Sequence, residues 1–134
     1  MERTSNRALP LILAREFAAN VATPFVVLDA DGTLVFFNEP AEELIGQSPS
    51  ELGELPEDEW KGRFSVERRD GSPVANEDTP TAIARRERRP AHETLVYTSL
   101  DGIRRTIAVT ATPILEREDE LVGVIALFWE VAGE

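Results

Sequence analysis

Three Asp-Gly pairs constrain this 134-residue chain more than any other feature, because they follow or separate short segments with the composition of β-strands. An Asp-Gly pair between apolar runs is among the strongest local signals for a tight hairpin turn. The first pair separates FVVLD (25–29) from TLVFF (33–37). The three pairs are Asp31-Gly32, Asp70-Gly71 and Asp101-Gly102. The pattern therefore predicts strands that pair antiparallel through short turns.

The second half of the chain contains three further candidate strands in succession. Residues 93–98 and 104–112 alternate between apolar and polar side chains, which is typical of strands with one buried face. Residues 121–131, LVGVIALFWEV, are apolar on both faces, so this strand should be covered on both sides. A shorter candidate strand lies at 64–68.

Short helices are predicted between the two groups of strands. Asn38 is a good N-cap for a helix at 40–45, and Asp78 or Thr79 can cap a helix that runs to about Arg88. The regular strand–helix alternation of a doubly wound fold is absent. The fold class is therefore expected to be α+β.

The N-terminal segment has the periodicity of a helix. Residues 8–21, ALPLILAREFAANV, place Pro10 in the first turn, where its missing N–H costs little. Leu9, Leu13 and Phe17 recur every four residues and could cover the chain's own sheet. The apolar run within this helix is too short to span a bilayer. We expect a soluble, cytoplasmic chain with no membrane partner.

Charge and cysteine content exclude several classes of function. The chain has 25 acidic and 14 basic side chains, so its net charge of −11 repels nucleic acid and anionic lipid. With no cysteine, it can form neither a disulfide nor a thiolate metal site. The length fits one domain with one core and a modest cavity. We expect no nucleic-acid partner.

Four stretches together resemble the PAS domain, a sensory fold. The first is FVVLDADGTLVFFNEPAEELIG (25–46): an apolar strand, an Asp-Gly turn, a strand ending in Asn, a short helix and Gly. The others are DGSPV (70–74), DGIRRTIAVTATPI (101–114) and the final strand. The resemblance covers residues 22–131 and is carried by the order and spacing of the pieces.

This resemblance implies a five-stranded antiparallel PAS sheet with short helices on one face. It implies a sensory domain at 22–131, flanked by a dimerisation helix at 1–21 and a tail at 132–134. Such a domain is a signal-transduction module rather than an enzyme. It binds a small apolar ligand or a partner protein, pairs as a homodimer, and reports to an output domain, as in two-component regulation.

One motif points instead to catalysis. DADGT (29–33) after an apolar strand resembles the nucleophile motif of haloacid-dehalogenase-like phosphatases, in which Asp29 would attack phosphorus, Asp31 would protonate the leaving group, and both would hold magnesium. That family also needs a lysine for the phosphate and a parallel sheet, whereas the only lysine here is Lys61, in an acidic segment. The alternative is a type I′ hairpin turn.

Matching the strands to the light-oxygen-voltage subfamily of PAS domains gives a candidate pocket lining. Alternation places Ile107 and Val109 on the core side of their strand, with Thr106 on the other side. The resemblance adds inward-pointing residues of the neighbouring strands and residues of the short helices. The full set of candidates is Trp60, Ile83, Leu95, Tyr97, Ile107, Val109, Ile125 and Leu127.

The same comparison disfavours flavin and haem, so no cofactor is expected. Flavin photoreceptors of that subfamily use a helix cysteine and read the ring edge with Asn and Gln. This chain has no cysteine, and Tyr97, Ile107 and Ile125 stand at the reading positions. Haem ligands in PAS domains usually come from the helix before the strand that corresponds to 93–98 here. The predicted helix at that place, residues 79–88, contains no histidine.

Surplus apolar residues predict a homodimer. The N-terminal helix carries more large apolar side chains than one stripe can bury. The last strand is expected to present Val124, Ala126 and Phe128 on its outer face, which adds to the exposed apolar surface. The interface candidates are Leu9, Leu11, Ile12, Leu13, Phe17, Val21 and Phe128. Four arginines lie at 85–89, near the end of the helix that is predicted to run to about Arg88. They are either a solvated face that complements the helix dipole or a docking patch for an acidic partner.

Overall fold

The computed structural model describes residues 9–18, 22–45, 54–56, 59–60, 65–98, 102–117 and 120–131. The predicted tail at 132–134 and residues 1–8 of the flanking segment lie outside this description. Within the described ranges, three helices with defined bounds and one 3₁₀ turn accompany the strands, and residues 59–60 also have helical backbone. The helices are α1 (Leu9–Ala18), α2 (Glu39–Ile45) and α3 (Pro80–Glu87), and the 3₁₀ turn is Asn76–Asp78.

In the described part of the chain, six strands form one sheet in the order β2-β1-β6-β5-β4-β3. Every neighbouring pair is antiparallel. The prediction of an α+β fold with an antiparallel sheet is confirmed. The sheet has one strand more than expected, because the short candidate near 64–68 pairs with β4 at the edge. The strands are β1 (Phe25–Asp29), β2 (Leu34–Phe37), β3 (Ser65–Glu67), β4 (Ala91–Thr98), β5 (Arg104–Leu115) and β6 (Leu121–Glu130).

The first two Asp-Gly pairs form turns, but with three-residue loops instead of the two-residue type I′ turn. Asp29 N donates to Thr33 O at 2.9 Å and Gly32 N donates to Asp29 O at 3.0 Å, so 30–32 form the loop. Gly32 has φ 88°, whereas a type I′ turn would also need a positive φ at the preceding Asp31. Arg68 and Ser72 close the second loop in the same way. The Ser72 N–H and hydroxyl donate to Asp70 and lower the pKa of its carboxyl.

β6 contributes side chains to two apolar layers, one on each face of the sheet. Leu28, Phe37 and Val124 belong to an inner cluster beneath α2 and α3. Phe25 and Val27 belong to an outer cluster on the opposite face. The expectation that the last strand is covered on both sides holds only in part, because the inner residues of β6 are buried whereas its outer side chains are half-buried or exposed.

α1 lies on the outer layer with most of its large side chains in solvent. Phe17 contacts Phe25 edge to face, with ring centroids 5.9 Å apart, and the buried residue of the helix is Ala14. The exposed fractions of Leu9, Leu13 and Phe17 are 64%, 57% and 62%. The expectation that this stripe covers the sheet is therefore wrong, since the small side chain of Ala14 makes the close approach.

Asn38, 2% exposed, links three elements at one point. Its side-chain Oδ1 accepts hydrogen bonds from Phe25 N and Ala41 N, both at 3.1 Å, and its Nδ2 donates to Thr23 O at 2.9 Å. The contact with Ala41 is the N-cap of α2 that the sequence predicts. Thr79, one of the two caps predicted for α3, accepts from Ala82 N at 3.4 Å. The amide of Asn38 thus fixes the start of β1, the end of β2 and the start of α2.

We expect Asn38→Ala to lower the free energy of unfolding by about 3 kcal/mol, because it removes a cap and leaves the buried N–H of Phe25 unsatisfied. Chemical denaturation followed by circular dichroism measures the change. Glu43→Ala is the control on the same helix, since Glu43 is exposed on α2, and it should change stability by less than about 0.5 kcal/mol. Equal losses in the two variants would contradict this role.

Candidate ligand pocket

A cavity of about 140 Å³ lies between the inner face of the sheet and the segments that precede β4. Its floor comes from β1, β4, β5 and β6, and its walls from Trp60, β3 and the start of α3. Because side chains alternate along a strand, each strand contributes residues spaced two apart. The lining consists of Val26, Leu28, Leu34, Trp60, Val66, Asn76, Thr79, Pro80, Thr81, Leu95, Tyr97, Ile107, Val109, Ala126 and Phe128.

The lining is mainly aliphatic and aromatic, with a few polar groups. The hydroxyl of Tyr97 is buried, and a phenol can both donate and accept a hydrogen bond. Thr79 is committed to the local structure, because its Oγ1 donates to Asn76 O at 3.0 Å and caps α3. The chemistry of this site is therefore burial of an apolar group among mainly apolar side chains.

Trp60 connects the cavity to the hairpin between β1 and β2. Its indole Nε1 donates to Gly32 O at 2.8 Å while its ring contributes to the cavity wall. Asp29 braces the same hairpin, since its Oδ1 accepts from Asp31 N and Thr33 N, both at 3.0 Å. A change in the position of the indole would therefore reach the hairpin directly.

The structure brings five of the predicted pocket residues together around this cavity: Trp60, Leu95, Tyr97, Ile107 and Val109. Ile83 is half-buried on α3 but is not part of the lining, which uses Pro80 and Thr81 at the start of that helix. The cavity is therefore bordered by the first residues of α3, whereas Ile83 lies further along the helix.

The inward orientation predicted for Ile125 and Leu127 is wrong. Both pack in the outer cluster with Phe25 and Val27. Their directly opposite partners on β5 are Thr112 and Thr110, whereas Val109 and Ala111, on the inner face, pair with Phe128 and Ala126. Since opposite residues of an antiparallel pair share a face, Val124, Ala126 and Phe128 point inward.

Phe128 is consequently wrong as a dimer-interface candidate, because it is 9% exposed and lines the cavity. The candidates Leu9, Ile12, Leu13 and Phe17 are exposed on α1. The side chain of Leu11 and the whole of Val21 lie outside the described residues. Trp129 is 42% exposed on the outer face, with its ring 6.2 Å from that of His92.

Sequence reasoning missed the lining from β1, β2 and β3. Val26 and Leu28 belong to a strand in which all five residues are apolar except Asp29, so no alternation marks its inner face. Val66 lies on a three-residue edge strand, too short for a periodic signal. The pairing of Ala126 with Ala111 becomes visible only once the register of β5 and β6 is known.

The phosphatase interpretation of DADGT is not supported. Asp29 and Asp31 lie in a hairpin of an antiparallel sheet, and the Asp29 carboxylate accepts hydrogen bonds from the turn it closes. Within the described ranges, no group of three or more His, Asp or Glu side chains could hold a metal ion. None of the helices described there is long and apolar enough to cross a membrane.

The sequence matches the PAS fold family over residues 18–134. No curated protein matches it. Among solved structures, the PAS domain of BvgS from Bordetella pertussis has a TM-score of 0.63 at 16% identity, covering 92% of this chain and 87% of that one. The LOV protein of Rhodobacter sphaeroides has a TM-score of 0.72 at 12% identity, covering 93% and 69%.

A third similar structure is the PAS domain of the fruit-fly ELK potassium channel, with a TM-score of 0.69 at 12% identity, covering 95% of this chain and 100% of that one. At these identities the likeness shows the fold. The proteins that share it range from a light-oxygen-voltage protein to a channel domain, so the fold does not assign a ligand.

The inward orientation of Ile107 predicts different effects of the same charge on the two faces of β5. Ile107, 4% exposed, lines the cavity, and Thr106 is half-buried on the opposite face. Ile107→Asp should lower the free energy of unfolding by about 4 kcal/mol, because a carboxylate would be buried without a partner. Thr106→Asp should cost less than about 1 kcal/mol. Similar melting temperatures for the two variants would contradict the assignment of faces.

Proposed function

This chain belongs to the PAS fold family, and on that basis we propose that it is a cytoplasmic sensory module that holds a small apolar ligand in its cavity. In this proposal residues 22–131 form the sensory domain and 1–21 the flanking helix. PAS folds are typical of sensory and signal-transduction modules. The observation that carries the proposal is the cavity on the inner face of the sheet.

The size of the cavity supports a ligand with a single ring. At about 140 Å³ it is close to the apolar cavity of about 150 Å³ that admits benzene. Drug-sized ligands occupy pockets of about 300–1,000 Å³. A flavin or haem would therefore need extensive rearrangement of the core.

The Tyr97 hydroxyl and the net charge of the chain restrict the class of ligand further. The buried hydroxyl of Tyr97 can exchange one hydrogen bond with a ligand whose ring fills the apolar space. A net charge of −11 disfavours a carboxylate or phosphate on that ligand. We therefore favour a neutral aromatic molecule of one ring with one hydroxyl or amine group.

Two sets of contacts connect the residues around the cavity with the surface of the domain, and either could transmit a structural change. Trp60 links the cavity wall to the β1–β2 hairpin through Gly32. β1 links it to α1, because Val26 faces the cavity while the neighbouring Phe25 contacts Phe17 on the outer face. A ligand that displaces these strands would shift α1, which in turn would report to an output domain or a signalling partner.

We also propose that α1 forms the interface of a homodimer. Leu9, Ile12, Leu13 and Phe17 are exposed by 64%, 43%, 57% and 62%. Contiguous apolar patches on soluble monomers are usually small, and a two-fold contact would bury the same patch on both subunits. The charge of −11 on each copy opposes this contact, and salt screens the repulsion.

The ligand proposal predicts that phenol binds and stabilises the protein. At a phenol concentration of about 100 times its Kd, the free energy of unfolding should rise by about 2.7 kcal/mol, measured by thermal unfolding. Val109→Phe should weaken phenol binding at least ~10-fold by filling the cavity. Val96→Phe, the matched change on the outer face of β4, should leave it unchanged.

Tyr97→Phe separates the role of the hydroxyl from that of the cavity. This variant should weaken phenol binding about 5-fold and leave toluene binding unchanged, because only phenol uses the hydrogen bond. Ligand-observed nuclear magnetic resonance gives both affinities. If the wild type binds neither compound, or if Val109→Phe binds both as the wild type does, the ligand proposal is wrong.

The dimer proposal predicts that Leu13→Glu converts the protein to a monomer in high salt. The side chain of Leu13 is 57% exposed, so the substitution should not disturb the fold. Ile103→Glu, at 48% exposure in the loop between β4 and β5, is the matched control and should remain dimeric. Sedimentation velocity at micromolar concentration measures both. A monomeric wild type in high salt would refute the assignment of α1.

A further inference from the structure

Four arginines form a basic patch at the C-terminal end of α3. We call Arg85, Arg86, Arg88 and Arg89 the arginine patch. Arg86, Arg88 and Arg89 are exposed and Arg85 is half-buried. Within 85–89 the one acidic residue is Glu87, so this segment carries +3 in a chain of net charge −11. The cavity makes no use of this patch, since its lining from α3 stops at Thr81.

Glu87 holds two of the four guanidinium groups side by side. Its carboxylate lies 3.1 Å from Arg86 Nη2 and 2.7 Å from Arg89 Nη2. The hydrogen bonds from Arg86 and then Arg89 lower the pKa of Glu87. Arg86 also donates from Nη1 to Glu77 O at 2.8 Å, a main-chain oxygen that neutralises no charge. Arg86 and Arg89 are therefore ordered and share one negative charge.

The backbone of Arg88 is the second observation. Arg88 ends α3 with φ 55° and ψ 43°, and it is the only non-glycine residue with positive φ in the described ranges. Glycine or asparagine usually occupies this left-handed position, because a Cβ is disfavoured there. The Arg88 side chain caps this end of the helix, because its Nη1 donates to Arg85 O at 3.3 Å and to Arg86 O at 3.5 Å. Arg88 therefore lies beside the pair of guanidinium groups that Glu87 holds, at the same end of α3.

We propose that the arginine patch binds an acidic segment of another protein. Guanidinium groups hold carboxylates in paired hydrogen bonds, and Arg86 and Arg89 already bind Glu87 on one side. Nucleic acid fits less well, because the remaining surface repels an extended polyanion, whereas a short acidic segment feels mainly charges within about 10 Å. This surface is independent of the cavity and of α1.

A Glu-rich octapeptide titrated into ¹⁵N-labelled protein at low salt tests the proposal. We expect chemical-shift changes centred on residues 85–90 that disappear in 0.5 M salt, as expected for screened surface charges. The double variant R86E/R89E should bind at least ~10-fold more weakly. R104E/R117E changes the net charge equally, at two exposed arginines outside the patch, and should bind about as the wild type does. The same loss in both double variants would overturn the proposal, as would no peptide binding.

Arg88→Gly separates an effect on peptide binding from an effect on stability, because both the affinity and the midpoint of thermal unfolding are measured. It should change the midpoint of thermal unfolding by less than about 3 °C, because glycine suits the left-handed conformation while the two hydrogen bonds from the guanidinium to the helix carbonyls are lost. The same variant should weaken peptide binding about 3-fold. Unchanged affinity would show that Arg88 has no binding role and would overturn the proposal.

Two further outcomes would assign the patch to a different occupant and also contradict the proposal. One is tighter binding of a single-stranded DNA octamer than of the peptide. The other is a change in sedimentation of R86E/R89E relative to the wild type, which would indicate that a second copy supplies the acidic segment. Residues 16–60 contain eleven acidic side chains and no basic one, so this control is necessary.

Discussion

The central position of β6, with an apolar layer on each face, is the constraint on which the rest of the fold depends. β6 lies between β1 and β5, so its backbone groups pair on both sides while its side chains enter two separate apolar layers. The inner layer needs the short helices as a cover, and the outer layer receives α1. Because successive residues of a strand point to opposite faces, Val124 and Ala126 lie on the inner face of β6, whereas Ile125 and Leu127 lie on the outer face with α1.

The cavity follows from the residue sizes within the inner layer. Ala126 lines the cavity, and its small side chain leaves space that Tyr97, Ile107 and Phe128 border without filling. Trp60 borders the space from the helical side and is held by its hydrogen bond to Gly32. An apolar space of this kind is costly to leave empty, which is why a bound apolar molecule would be favourable.

The parts of the fold that the sequence predicted well are those with local causes. The first two Asp-Gly turns, the Asn38 cap and the Thr79 cap depend on residues within a few positions of each other. The inner face of β5 was also predictable, because Ile107 and Val109 alternate with threonine and alanine. The inner face of β6 was not predictable, since positions 121–129 are all apolar or glycine and only the register with β5 distinguishes the two sides. The exposure of Leu9, Leu13 and Phe17 likewise depends on the closeness of α1 to the sheet, which periodicity does not measure.

The position of β6 also has a consequence for how the chain reaches its folded state. β1 pairs with β6, so Phe25 meets Leu127 and Asp29 meets Gly123. During synthesis the first hairpin leaves the ribosome long before its main partner strand, and its apolar edge stays open in the meantime. Such long-range pairing slows folding and lengthens the exposure of aggregation-prone strands. Completion of the sheet therefore waits until residues 121–130 have been made, and a nascent chain that stops before 121 would have a β1 edge for other chains to pair with.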